Sequence, residues 1–216
     1  MRGYFNGSDP NHIYMQPDLV MHNVDLDKLL FKFENFGQDH LVSENLQGEL
    51  SARIKGKIRV YPDMVPDLDQ SNIEMDVKVL NGRLKNYDPM LALSDYMEDK
   101  NLQNIRFDTL QNKLDINKGK ITIPSMTIES TLGHIELSGT HDSDQNIDYY
   151  LRIPWKTVRK AAWRKLFGSK KDSVSNPEQE DEIVEVDPDK KIKYLNLKIR
   201  GRTDDYKVSL GNKKQR

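Results

Sequence analysis

Residues 119–153 constrain this chain more than any other stretch, because their apolar residues recur with a period of two. Ile121 and Ile123 precede Pro124; Met126, Ile128 and Leu132 lead to Gly133; Ile135 and Leu137 lead to Gly139; and Ile147, Tyr149, Leu151 and Ile153 close the run. Successive side chains of a strand point to opposite faces, so this spacing predicts four short strands in a sheet with one apolar and one polar face. Such a sheet must cover its apolar face with other protein or with a ligand.

Composition fits a sheet wetted on one side. Charged residues make up 31% of the chain against 36% for the hydrophobic class, too polar for strands buried on both faces. The formal net charge of -1 gives no field of one sign, so the composition points away from nucleic acid as a partner. The absence of cysteine excludes disulfides and thiolate metal sites. No run approaches the roughly 20 apolar residues of a membrane span, and MRGYFNGSDPNH lacks the apolar centre of a signal peptide.

Along the chain, Gly3, Gly7, Pro10 and Pro17 predict an irregular lead-in over residues 1–27. Leu29, Phe31 and Phe33 alternate with charged residues and predict a first strand at residues 28–34. Leu50, Ala52, Ile54, Ile58 and Val60 share one parity, which fits two strands joined at Lys55-Gly56-Lys57 or one long bent strand. Ile73, Met75, Val77 and Val79 form a further strand ending at Asn81-Gly82, a pair that predicts a hairpin turn.

Two segments break the rhythm. Residues 88–98 begin with Asp88-Pro89 and space Met90, Leu93 and Met97 along one helical face. Residues 154–167 also begin with proline and align Trp155, Val158, Ala162 and Leu166, with Gly168 as a stop. The domain implied by residues 28–168 is followed by residues 169–191, where seven carboxylates fall between Glu178 and Asp189, the composition of a flexible acidic loop. Residues 192–211 predict a terminal hairpin of the same sheet, and residues 212–216 a disordered tail.

Catalytic and metal signatures are missing from the sequence. His12, His22, His40, His134 and His141 show no helical ligand spacing; His134 and His141 are placed to face each other across a hairpin. Asp142, Asp144, Asn146 and Asp148 imitate the start of a calcium loop, but Ile147 replaces the turn glycine and Ile153 the bidentate glutamate, so an Asp-rich turn is the simpler reading. With no nucleophile elbow and no phosphate loop, the expectation is a protein that is not an enzyme, with no cofactor and no metal. The helix at 154–167 combines Trp155, Trp163 and Phe167 with Lys156, Lys160 and Arg164, the mixture an interfacial helix uses to contact a membrane; a cap on the sheet end accounts for its apolar stripe.

The run STLGHIELSGTHDSDQNIDYYL, with Ser130, Gly133, Ile135, Leu137, Gly139, His141, Ile147, Asp148, Tyr149 and Leu151, resembles the C-terminal region of AsmA-like proteins, the bridge-like lipid-transfer proteins of Bacteroidetes type. The order NGRLKNYDPMLALSDYM, then NIRFDTLQNKLDINKGKITIPSMTI, is similar as well. The resemblance implies a mainly β fold: a long antiparallel meander curled into an open groove or half-barrel with an apolar concave face. It further implies a periplasmic, phospholipid-shielding segment that supports outer-membrane biogenesis, anchored in the inner membrane by an upstream helix absent here. Partners would be phospholipid acyl chains, the membrane surface, and the upstream portion of the same protein or other envelope proteins. The groove wall would comprise Ile73, Met75, Val77, Val79, Ile105, Phe107, Ile121, Ile123, Met126, Ile128, Ile135, Leu137, Ile147, Tyr149 and Leu151. From the residues alone, a closed β-sandwich acting as an envelope scaffold or protein-binding module stays open, since aliphatic strand faces also fill cores.

Overall fold

A computed structural model describes residues 2–9, 12–37, 41–97, 102–155, 158 and 193–211. It holds one sheet of ten strands, each paired antiparallel with its neighbour in sequence and in space. The strands are β1 (Arg2–Asn6), β2 (Ile13–Asp25), β3 (Leu46–Val60), β4 (Pro66–Lys85), β5 (Asn104–Asn117), β6 (Lys120–Ser130), β7 (Gly133–His141), β8 (Asn146–Pro154), β9 (Tyr194–Arg202) and β10 (Asp205–Leu210). Two short helices interrupt them, α1 (Leu26–Lys32) and α2 (Asp88–Leu91), the latter continued by a 3-10 turn at Ala92–Asp95. The sheet does not close into a barrel.

The register keeps one set of side chains facing inward. Across the C-terminal strands, Leu137 lies opposite Leu151 and Leu151 opposite Leu197, while Gly139, Tyr149 and Ile199 form the adjacent row. Residues 7–12, 61–65, 118–119, 142–145 and 203–204 connect strands at one end of the sheet, the tight-turn end. The two-residue connection 131–132 and the longer ones 26–45, 86–103 and 155–193 lie at the other, and 26–45 and 86–103 carry α1 and α2.

Several sequence expectations are corrected here. Residues 1–27 are not an irregular lead-in, since most of them form β1 and β2. Pro17 is tolerated because the β2–β3 ladder has no pair at Gln16 or Pro17, so its missing N–H interrupts nothing there. Residues 28–34 are largely helix rather than strand: Leu26, Leu29 and Leu30 stand at helical spacing, with Leu26 and Leu30 buried, while Phe31 and Phe33 of the apparent alternation are exposed. Of the two readings of residues 46–60, the single long strand holds, with no turn at Lys55-Gly56-Lys57. Nor does Asn81-Gly82 form a hairpin. β4 runs through it, with Asn81 in the left-handed region (φ 51) and Gly82 beneath the Phe107 ring.

Residues 119–153 make three strands and not four. Pro124 and Ser125 form a bulge inside β6, after which Met126 and Ile128 take over the inward phase from Ile121 and Ile123. The same region bends the sheet: β5 and β6 pair at Phe107–Ser130 and again from Asp115–Thr122, with the ladder open between, where Asn112 Nδ2 donates to the Pro124 carbonyl at 2.9 Å. His134 and His141 do not face each other, because both lie on β7 with opposite parity. The acidic turn is as expected, with Asp142 accepting from the Asn146 backbone N–H at 2.8 Å. The terminal hairpin is β9 and β10. Most of the helix expected at 154–167, the loop at 169–191 and the tail at 212–216 lie outside the described residues.

Candidate functional site

The apolar face has a closed half and a half-open one. Over β7–β10 it is covered by the connection 86–97, whose Leu93 and Met97 are 0% exposed. They share a core with Ile105, Leu132, Ile135, Ile147, Tyr149, Leu151, Ile153, Leu195, Leu197 and Ile199, and Trp155 and Val158 pack against it. Polar tethers hold this cover. Tyr206 Oη donates to the Asp88 carbonyl at 2.8 Å, the Tyr87 and Tyr149 hydroxyls hydrogen-bond each other, and Tyr149 Oη lies 3.2 Å from His141 Nδ1. Burial pushes both tyrosine hydroxyls above their ordinary range, the neighbouring tyrosine adding to it for Tyr149.

Toward β1 the cover is thinner. Leu26 and Leu30 of α1 pack on Leu50, Ala52, Val79, Phe107 and Ile128, so residues three strands apart in the sheet meet through the helix and the sheet curls around it. Past α1, toward the tight-turn end, Met15, Leu19, Ile54, Ile58, Met75, Leu114, Ile121 and Ile123 are only half-buried. This wall is aliphatic apart from Asn112, which occupies an inward position between Leu110 and Leu114. Phe5, opposite Met15 on the free edge strand, is 53% exposed.

The residues expected to line a groove therefore divide. Ile105, Ile135, Ile147, Tyr149 and Leu151 lie in the closed core, so they are not open wall. Val79, Phe107 and Ile128 are buried beside α1, and Ile73 is buried outside both clusters. Met75, Val77, Ile121, Ile123, Met126 and Leu137 keep partial exposure. Of the membrane-contact set, Trp155 is half-buried, and Lys156, Lys160, Trp163, Arg164 and Phe167 lie outside the described residues. Met15, Leu19, Ile54, Ile58 and Leu114 belong to the same wall and were legible only as an alternation; in β2 Pro17 obscured it.

The opposite face is charged and self-neutralising. Asp18 accepts from Arg53 Nε at 3.3 Å and Nη2 at 3.2 Å, and Asp148 pairs with Arg200 and, at 3.4 Å, with Lys198. Glu136 pairs with Arg152, whose guanidinium stacks on Tyr194 at 4.5 Å. A 570 Å3 concavity across β2–β5 is lined by Arg53, Asp76, Lys78 and Lys113 together with Met21, Ala52, Val77 and Asn112. Among the described residues, no group of His, Asp and Glu is arranged to hold a metal ion. No described helix is long and apolar enough to cross a membrane. Comparison of the chain with family models, curated proteins and solved structures gives no match.

Proposed function

We propose that this chain is a lipid-binding groove segment of AsmA type, which shields phospholipid acyl chains between the two membranes of a cell envelope and works without catalysis. The observation that supports the reading is the half-open aliphatic wall on β2–β6: one meander sheet, no second sheet over it among the described residues, and inward side chains left half-exposed between α1 and the tight turns. The five strands span about 19 Å at roughly 4.8 Å per gap, room for an acyl chain laid across them. Each methylene withdrawn from water contributes about 0.8 kcal/mol, so about ten give roughly 8 kcal/mol before ordering costs. A uniform aliphatic wall holds a chain at many equivalent positions, as transfer requires.

A second reading, a closed scaffold domain with no cargo, is favoured by the filled core under residues 86–97. Charging the half-exposed wall separates the two. Met75→Glu and Ile121→Glu should abolish uptake of a fluorescent phospholipid, and co-purifying lipid in native mass spectrometry, while the protein stays folded. Ile135→Glu should unfold it under either reading, because Ile135 is 5% exposed in the closed core. A wild-type chain that carries no lipid and takes none up would give the scaffold reading the field.

A further inference from the structure

The five turns at the tight end of the sheet are not alike. Those at 7–12, 118–119, 142–145 and 203–204 consist of small, polar or charged residues, as exposed turns usually do. The turn between β3 and β4 reads Tyr61-Pro62-Asp63-Met64-Val65 and is followed by Pro66. Tyr61, Met64 and Val65 are 49%, 49% and 52% exposed, three large apolar side chains on one projecting loop.

The loop is also built stiffly. Tyr61 N–H donates to the Val65 carbonyl at 2.9 Å and Met64 N–H to the Tyr61 carbonyl at 2.8 Å, while Asp63 Oδ1 accepts from Val65 N–H at 3.2 Å. Met64 adopts φ 70, a left-handed backbone that glycine would take without strain and that costs methionine about 1–2 kcal/mol. Pro62 and Pro66 restrict the loop further, so little entropy remains to be lost when it docks. A stiff loop that displays apolar groups at a conformational cost is suited to insertion. Its base is apolar as well, since Val60 and Ile13 lie opposite each other beneath it, 2% and 9% exposed.

We propose that residues 61–65 are a membrane wedge, whose Tyr61, Met64 and Val65 enter the headgroup boundary of a bilayer and bring the tight-turn end of the sheet against it. Three side chains fall far short of the roughly 800 Å2 per partner that a stable protein interface buries, whereas interfacial insertion needs a depth of only about 5–10 Å. Asp63, tied to the Val65 N–H, remains at headgroup level and fits a zwitterionic surface better than an anionic one. The proposal rests on the lipid-groove reading for its purpose, which is to give lipid a route from the bilayer to the wall, but wedge and groove can fail separately.

The chain has no cysteine, so Met64→Cys takes a single polarity-sensitive fluorophore, with Ser143→Cys on a polar turn of the same end as control. Phosphatidylcholine vesicles should shift and brighten the label at 64 and leave that at 143 unchanged. Val65→Asp in the unlabelled protein should weaken co-sedimentation with the vesicles about tenfold, with no change in the urea midpoint. A label at 64 that ignores vesicles overturns the wedge. So does one that responds to protein concentration alone, which would make the loop a self-association contact. Uptake of short-chain, monomeric phospholipid separates the two ideas: uptake without vesicle binding leaves the groove standing and removes the wedge, and vesicle binding without uptake does the reverse.

Discussion

Truncating Leu93 tests the division of the apolar face into a closed and a half-open part. Leu93 is 0% exposed at the centre of the connection that covers β7–β10. Leu93→Ala removes three methylene-sized groups, about 2.4 kcal/mol at roughly 0.8 each. A rigid sheet floor cannot collapse into the space, and a residual void of about 50 Å3 adds about 1.2 kcal/mol at roughly 24 cal/mol per Å3. The expected loss is about 3.5 kcal/mol. With a urea slope of roughly 2.5 kcal/mol/M, the midpoint falls by about 1.4 M with the slope unchanged. Met75→Ala, on the half-exposed wall, loses part of one side chain's burial and leaves no enclosed void; about 1 kcal/mol, or 0.4 M, is expected. The assay is paired urea denaturation followed by circular dichroism, with and without phospholipid. If the proposed groove takes lipid, the lipid stabilises the fold by mass action, and this increment should survive in Leu93→Ala and shrink in Met75→Ala. Equal midpoint shifts, or a Leu93→Ala shift under about 0.5 M, would refute the closed half.

Three further outcomes follow from named contacts. A Cβ on Gly82 would stand 2.0 Å from the Phe107 ring, so Gly82→Ala should cost about 1–3 kcal/mol in denaturation and be partly rescued by Phe107→Leu. Tyr87 and Tyr149 have folded pKa values raised above the unfolded value of about 10, so their contribution is fully present below pH 10 and is lost as pH rises past it; the urea midpoint should fall in that alkaline window, less steeply in Tyr149→Phe. Asp148→Asn removes the partner of Arg200 and Lys198 on the polar face, and thermal denaturation should show a loss of no more than about 1 kcal/mol that shrinks as salt is added.

Much of the sheet was legible because its signal is local. Alternation in residues 73–79, 121–123, 147–153 and 195–199 needs only the two-residue strand period, and these residues lie in β4, β6, β8 and β9. The signal failed where two periodicities overlapped or where a turn signature lay inside a strand. Leu29, Phe31 and Phe33 alternate, yet Leu26, Leu29 and Leu30 also share a helical face, and packing decided for the helix. Asn81-Gly82 has the backbone freedom a hairpin needs, but β4 spends it on changing the inward phase between Val79 and Leu84. The candidate site was harder to read, since Met75 and Ile135 look identical in pattern and differ in cover.

By itself, then, the sequence determined that the chain forms a one-sided sheet, because side-chain parity along a strand is fixed by the backbone and shows in the order of residues. Only the tertiary structure decided what lies on that face. Whether an inward aliphatic residue is core or wall depends on which connection folds back over it. Residues 86–97 reach β7–β10, and α1 reaches the middle of the curl. Nothing in the local pattern of β2–β6 records that neither covers its outer stretch, because cover is a property of distant residues brought together by the bend of the sheet.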